Sequence, residues 1–398
     1  MLECASIEPR VSTGIDALDV ALGGLYWGDN VVWELDGGTL RPFYEAIAAI
    51  PGTFDTRTFV AFGDGERAPE EAFDTSGLSV ITAGPNASLA SPVQLLHQIH
   101  RLCQPRRRRL LLFDSLDRMA RLWGASETRA FFARCCPLLL EVGAIAYWSM
   151  SARHTPPQVR ETVAAVTQCV LRVDERTVRI AKAEGRSEEA RGSILQWHEE
   201  HGALVLAPAE LVGRVATSLR TVRRMRQLSQ HELAELAGVT ASAISQAERA
   251  ERGLSLATLL RLSTALGVTI DELLRGGDRE AYRIGRRAAD PQSEPPRSLT
   301  LLEGGKPDIQ IDLVHLGAYE IGAPSRRPPG FAIIAVASGL VQVEIAGRAP
   351  ALRHGEVLVS DSDRPRRWRN LGQATAMLFW IVIGEDAPQA LRARRPAD

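Results

Sequence analysis

Ala241, Ser242, Ser245 and Gln246 have the types and spacing needed to read the edges of nucleic-acid bases. A glutamine carboxamide bonds adenine bidentately through N6 and N7, while small residues allow close approach or touch a thymine methyl. Such chemistry consumes no catalytic group; it needs side chains held in order on a rigid rod. The flanking residues supply that rod. Two short apolar-periodic segments, 232–237 and 240–247, lie either side of a turn at Gly238 and Val239. Each opens on a residue able to cap a helix, Ser229 and Thr240. The spacing predicts a helix-turn-helix, whose second helix lies in the major groove of DNA. Ala234, Ala237, Val239, Ile244, Leu256, Leu259, Leu262 and Leu266 recur at helical spacing and are the expected core.

The stretch from about Val212 to Leu274 resembles the lambda-repressor-like (Cro/CI, or XRE) helix-turn-helix family. The family pattern leucine-serine-glutamine-x-glutamate-leucine-alanine followed by glycine-valine stands here at 228–234, Gly238 and Val239, and ALGVTIDELL closes the segment. The resemblance implies double-stranded DNA as partner, a recognition helix over 240–250, and phosphate contacts from Gln230, Thr240 and Arg249, with helix N-termini assisting. Arg220, Arg223, Arg224 and Arg226 precede these residues. They would add sequence-independent attraction, or they are a solvated helix face.

Composition bounds the rest. A chain of 398 residues with 45% hydrophobic and 24% charged residues holds roughly two to four domains and reads as an ordinary soluble protein. Its net charge of −1 provides no global attraction to nucleic acid, so basic character has to be local. The window from Leu211 to Arg275 holds nine arginines against six acidic residues, a balance of +3. Five cysteines are scattered with no zinc spacing, and the adjacent Cys135 and Cys136 fit a buried helix. No signal peptide and no membrane-length apolar run is evident, so a cytoplasmic location is expected.

Residues 1–208 alternate strand-like and helical stretches. They resemble the KaiC branch of RecA-like P-loop ATPases: Val11-Ser12-Thr13-Gly14-Ile15, Leu18-Asp19, Leu22-Gly23-Gly24, Gly28 before a strand, and a Walker B-like strand from Leu110 to Phe113 ending in Asp114-Ser115. That resemblance implies an α/β fold. The phosphate-binding loop is missing, because the segment from Glu34 to Pro42 contains no G-x-x-x-x-G-K-[ST]. The phosphate lysine is absent, Asp36 adds negative charge, and Pro42 removes an N–H donor beside Arg41. The expectation is a degenerate domain with no catalytic residue and no cofactor; Asp114 is read as a strand-end residue.

A short joint leads into the helix-turn-helix at 211–275, and a polar linker follows at 276–297. From 298 to 386 short strands recur between Gly and Pro (IQIDLVHL, FAIIAVAS, LVQVEIAG, GEVLVSD, ATAMLFWIVIG), predicting an all-β barrel or sandwich; 387–398 reads as a polar tail. The segment resembles a small cupin barrel through Gly355 and Asn370 at that family's spacing. Its metal-histidine positions hold arginines, Arg326 and Arg327 in the first motif and Arg366 in the second, so no metal is expected. His315 and His354 stand alone. The arginines, with Trp368, either converge on a small anionic effector, whose carboxylate a guanidinium fork matches, or form a solvated rim. The order of the three parts implies an effector-responsive, sequence-specific transcriptional regulator, not an enzyme, acting as a homodimer with no membrane partner. The alternatives are a KaiC-like ATPase and a signalling scaffold.

Overall fold

The computed structural model describes residues 10–37, 39–63, 74–103, 107–186, 190–200, 203–209, 211–249, 253–270, 273, 283–286, 292, 297–304, 308–324, 331–360 and 365–384. They fall into two compact units, one from Arg10 to Arg283 with Gln292, the other from Ile284 onward.

The first unit is built on a nine-stranded sheet. Its strands are β1 (Asn30–Leu35), β2 (Thr56–Phe62), β3 (Ser79–Ala83), β4 (Arg109–Ser115), β5 (Ile145–Ser151), β6 (Cys169–Val173), β7 (Thr177–Ala183), β8 (Ile194–Glu200) and β9 (Ala203–Pro208), in the order β3-β2-β4-β5-β1-β6-β7-β8-β9. The first six run parallel; β7, β8 and β9 return antiparallel. Helices α1 (Asp16–Leu22), α2 (Arg41–Ala48), α3 (Pro92–Leu102), α4 (Leu116–Trp123), α5 (Ala125–Glu141) and α6 (Pro157–Val166) accompany the parallel strands.

A parallel sheet covered on both faces needs strands that are apolar throughout rather than alternating. The run from Leu110 to Phe113 meets that need: Leu110 and Leu112 pack into one core, Leu111 and Phe113 into the other. In the second core the Phe113 ring stacks on Trp148 at 3.6 Å between centroids. Cys135 and Cys136 are buried in the same core, and burial pushes the Cys135 thiol well above its ordinary range, which keeps it inert. Asp29 and Arg186 form a fully buried ion pair. The guanidinium also lies over the Tyr26 ring at 4.9 Å and donates to the Gly24 carbonyl at 3.0 Å.

Among the described residues this unit also holds four longer helices: α7 (Leu211–Met225), α8 (Gln230–Ala237), α9 (Ala241–Glu248) and α10 (Leu256–Leu266). Their core is Leu219, Leu233, Ala234, Ala237, Ile244, Ala247, Leu262, Leu266 and Leu273. Five of the eight expected core positions are fully buried (Ala234, Ala237, Ile244, Leu262 and Leu266), and Val239 and Leu259 are half-buried. Leu256 is not: it is 66% exposed, since it opens α10 before the helix meets its neighbours.

The second unit is antiparallel throughout. Strands β10 (Ser298–Leu302), β11 (Ile309–Leu316), β13 (Phe331–Ser338), β16 (Val357–Ser360) and β18 (Ala376–Ile383) form one sheet, in the order β10-β11-β18-β13-β16. Strands β12 (Ile321–Gly322), β14 (Leu340–Glu344), β15 (Ala351–Arg353) and β17 (Arg367–Asn370) form the other, in the order β12-β17-β14-β15. Their facing sides share one apolar core that includes Ile334, Val341, Val343, Trp368, Leu378 and Trp380. This is the barrel-like all-β part that the sequence predicts. The expected tail at 387–398 lies outside the described residues.

Removing the Asp29 carboxylate leaves a buried guanidinium with two carbonyls and the Tyr26 ring but no counter-charge. Asp29→Ala is expected to cost about 3–5 kcal/mol, read as a lowered urea midpoint for the sheet's unfolding.

Candidate nucleic-acid interface

The helix-turn-helix is set by local chemistry. Ser229 caps α8 by accepting from the Glu232 N–H at 3.2 Å, and the Glu232 carboxylate returns the bond to the Ser229 N–H at 2.7 Å. This reciprocal capping box satisfies two backbone donors at once. At the other end Gly238 adopts φ 64°, a left-handed conformation that a side chain resists, and its neighbour Val239 bonds back to the Ala234 carbonyl at 3.0 Å. Thr240 then caps α9 by accepting from the Ala243 N–H at 3.1 Å. The second helix therefore starts at Ala241, with Thr240 as its cap, and runs to Glu248; Ala250 lies outside the described residues.

Ile244 and Ala247 point α9 into the core. Ser242, Gln246 and Arg249, spaced four and three residues apart, share one face of the helix. Ser242 and Arg249 are exposed, and Gln246 is half-exposed. Ser245 is half-buried and accepts from Arg249 Nη1 at 2.8 Å, which holds that guanidinium along the helix. Ala241 is half-buried at the helix start, and Thr240 is exposed beside it. Six of the seven predicted residues thus come together on and beside one helix.

Gln230 is engaged differently. Its amide donates to Glu248 Oε2 at 2.8 Å. Glu248 is only 2% exposed and was not singled out from the sequence. Arg223 grips it bidentately, Nε to Oε1 at 2.6 Å and Nη2 to Oε2 at 3.0 Å. The Glu248 hydrogen bond in turn raises the Arg223 pKa. Arg220 donates to the Glu248 carbonyl, placing a cation at the C-terminal end of α9, where the helix dipole favours one. A sequence signal for Glu248 did exist: it stands four residues after Ile244, on the apolar stripe, where a carboxylate needs a buried partner.

Arg220, Arg223 and Arg224 of α7 and Arg226 of the turn after it are committed inside the chain. Arg223 holds Glu248, and Arg226 donates to the Leu266 carbonyl at 2.9 Å. Arg220 also faces Asp174 at 3.8 Å, and Arg224 pairs with Asp36. Arg153 also reaches Asp36, at 2.9 Å. Arg41 turns onto Glu45 at 2.8 Å, and Asp114 is taken by Arg118 at 2.9 Å. Beside them Tyr44 is kept neutral, its pKa raised by burial and by the Asp114 charge.

In the second unit Trp368 is 1% exposed inside the core, whereas Arg366 is exposed ahead of β17. Arg326 and Arg327 lie outside the described residues. Among the described residues no group of three or more His, Cys, Asp or Glu could hold a metal ion, and no helix is long and apolar enough to cross a membrane.

Residues 219–273 match the family model described as helix-turn-helix, so the chain carries a domain of this family. No curated protein matches the chain. Among solved structures, the restriction-modification controller protein C.AhdI from Aeromonas hydrophila is 37% identical over 16% of this chain and 94% of its own, with a TM-score of 0.15. A KaiC-like protein from Pyrococcus horikoshii OT3 is 19% identical over 50% of this chain and 99% of its own, with a TM-score of 0.39. The Cnp3 cupin domain of Schizosaccharomyces pombe is 11% identical over 25% of this chain and 72% of its own, with a TM-score of 0.20.

Two outcomes follow from these contacts. Arg223→Ala strands the buried Glu248 carboxylate and is expected to destabilise the helical segment by about 3–5 kcal/mol, measured by amide exchange in α8 and α9. The Ser229 backbone bond holds the Glu232 carboxyl below the usual range. The capping box therefore contributes fully above pH about 4.3 and is lost as pH falls through the lowered folded pKa. Amide protection at the start of α8 is expected to fade over that acid window, and Glu232→Gln to remove the fading.

Proposed function

We propose that this chain is a sequence-specific DNA-binding transcriptional regulator that acts as a homodimer in the cytoplasm. One observation carries the reading: a capped helix-turn-helix in which α9 offers Ser242, Gln246 and Arg249 along one exposed face. Gln246 has no hydrogen-bond partner among the described residues, so its carboxamide is free for a base edge. Ser242 would lie against the base edges beside it, Thr240 and Arg249 would hold the phosphates, and Gln230 would buttress α9 through Glu248 as well as reach the backbone. One such module contacts too few bases for genomic specificity, so two copies would read half-sites about 34–36 Å apart.

The barrel is the proposed sensor of a small anionic effector. Its support is a pair of buried indole N–H groups, on Trp368 and Trp380, that have no acceptor among the described residues. Buried donors of this kind are normally satisfied, and a carboxylate or carbonyl ligand would satisfy them. The effector acts only if it binds one arrangement of the dimer better than the other.

The N-terminal sheet is proposed as a non-catalytic platform. An ATPase would need a cation at the β- and γ-phosphates, and here Asp36 occupies that region with Arg153 and Arg224 drawn onto it. Magnesium-dependent ATP turnover abolished by Asp114→Ala would overturn this part of the reading.

The direct test is footprinting of the purified protein on the DNA upstream of its own coding region, across a salt series. A protected, competitor-resistant site is expected; binding that only tracks phosphate charge and vanishes steeply with salt would count against sequence-specific regulation. Gln246→Ala is expected to weaken the footprinted site by about 1–3 kcal/mol and to relax preference at one base position. A uniform loss over all sequences would show that Gln246 does not read bases.

A further inference from the structure

The two sheets of the second unit have opposite outer surfaces. On the four-stranded sheet the outward positions include Glu344, Arg353, Arg367 and Arg369, as expected for a sheet facing water. On the five-stranded sheet the outward positions of β11, β18, β13 and β16 hold no Asp, Glu, Lys or Arg. The registers place them in straight cross-strand rows. Ile311 pairs with Ile381, Ile381 with Ile333, and Ile333 with Val359, so four β-branched side chains stand abreast across four strands. The next row continues through Phe379 to Val357.

This surface is not an inward core. The interior of the barrel is filled by the alternate residues of the same strands, Val314, Leu378, Ile334 and their neighbours. The outward set is half-exposed at Ile311, Ile333, Phe379 and Ile381, and Val357 and Val359 are 55% and 54% exposed on the edge strand β16; toward the other edge Leu299, Leu313 and His315 of the same face are already buried, so the open part lies on β18, β13, β16 and the start of β11. A sheet that is apolar on both faces belongs between two layers, and a contiguous exposed apolar patch beyond a few hundred Å² marks an interaction surface.

We infer that this outer face of the five-stranded sheet is where a second copy of the chain packs. The inference rests on the homodimer of the proposed function. Two observations select a second copy over an unrelated partner. The open part of the face holds no Asp, Glu, Lys or Arg, so it complements itself and has no opposite-sign partner to seek. A two-fold axis needs one patch that meets its own copy, and rows of Ile and Val packed face to face at about 10 Å are the ordinary way two sheets join.

The test is the mass of the full-length chain in solution, by sedimentation velocity over a concentration series without DNA. The unaltered protein is expected to sediment as a dimer. Val357→Glu with Val359→Glu places charge on an already exposed edge, where the fold tolerates it, and brings like charges together across the axis. The dimer is expected to weaken at least roughly 100-fold, with an unchanged circular dichroism spectrum. Arg369→Glu, on the outer face of the other sheet, is expected to leave the dimer intact. A double variant that stays dimeric, or an unaltered chain that is monomeric throughout the series, overturns the inference. Because no DNA is present, failure here is distinct from failure of the footprint: a protected operator with a dimer insensitive to the Val357 and Val359 changes would sink the surface and leave the regulator standing.

Discussion

The helix-turn-helix depends on one buried carboxylate. Glu248 ends α9 inside the helical core, and burying an ion in this way is tolerable only with a well-placed counter-charge. Arg223 supplies it from α7, Gln230 adds a bond from the start of α8, and Arg220 holds the adjacent carbonyl. Three helices thus converge on one residue, and the angle at which α9 presents Ser242 and Gln246 is set by that convergence. Apolar contacts through Ile244 and Ala247 give the segment its stability; the charged network gives it a single geometry.

The same physics explains what could be read from the chain. The capping at Ser229 and Thr240, the left-handed turn at Gly238 and the apolar stripe are local, and local signals survive in a linear sequence. The parallel sheet was legible for a related reason, since an unbroken run such as 110–113 has few alternatives. The arginines of α7 were not legible. Their partners Glu248, Asp36 and Asp174 stand 25, 188 and 46 positions away, and nothing in a run of basic residues distinguishes a solvated face from an internal clamp. Leu256 misled because periodicity identifies a face but does not say where along the helix its neighbour begins. Trp368 was grouped with Arg366 because the two are close in sequence, but the indole lies in the barrel core while Arg366 is exposed, so the two stand in different environments.

Charge is distributed so that each element has one role. Cations that would give a free helical segment a general affinity for phosphate are drawn onto carboxylates and carbonyls. What remains on the face of α9 is short, polar and nearly neutral, apart from Arg249. Discrimination between sequences rises when the contribution common to all sequences is kept small, because only the difference between sites carries information.

The joint between β9 and α7 has a mechanical consequence. The strand ends at Pro208 and the helix starts at Leu211, with the Ala209 N–H bonded to the Ile194 carbonyl at 2.9 Å. The three Cα–Cα steps from Pro208 to Leu211 span no more than about 11 Å, so the helix-turn-helix segment is leashed to its sheet and has no swinging tether. A reader on a long flexible linker adapts to half-sites at many separations and loses orientational entropy each time it binds. A leashed reader has given up that freedom on folding, and it accepts in return a narrow range of half-site spacings.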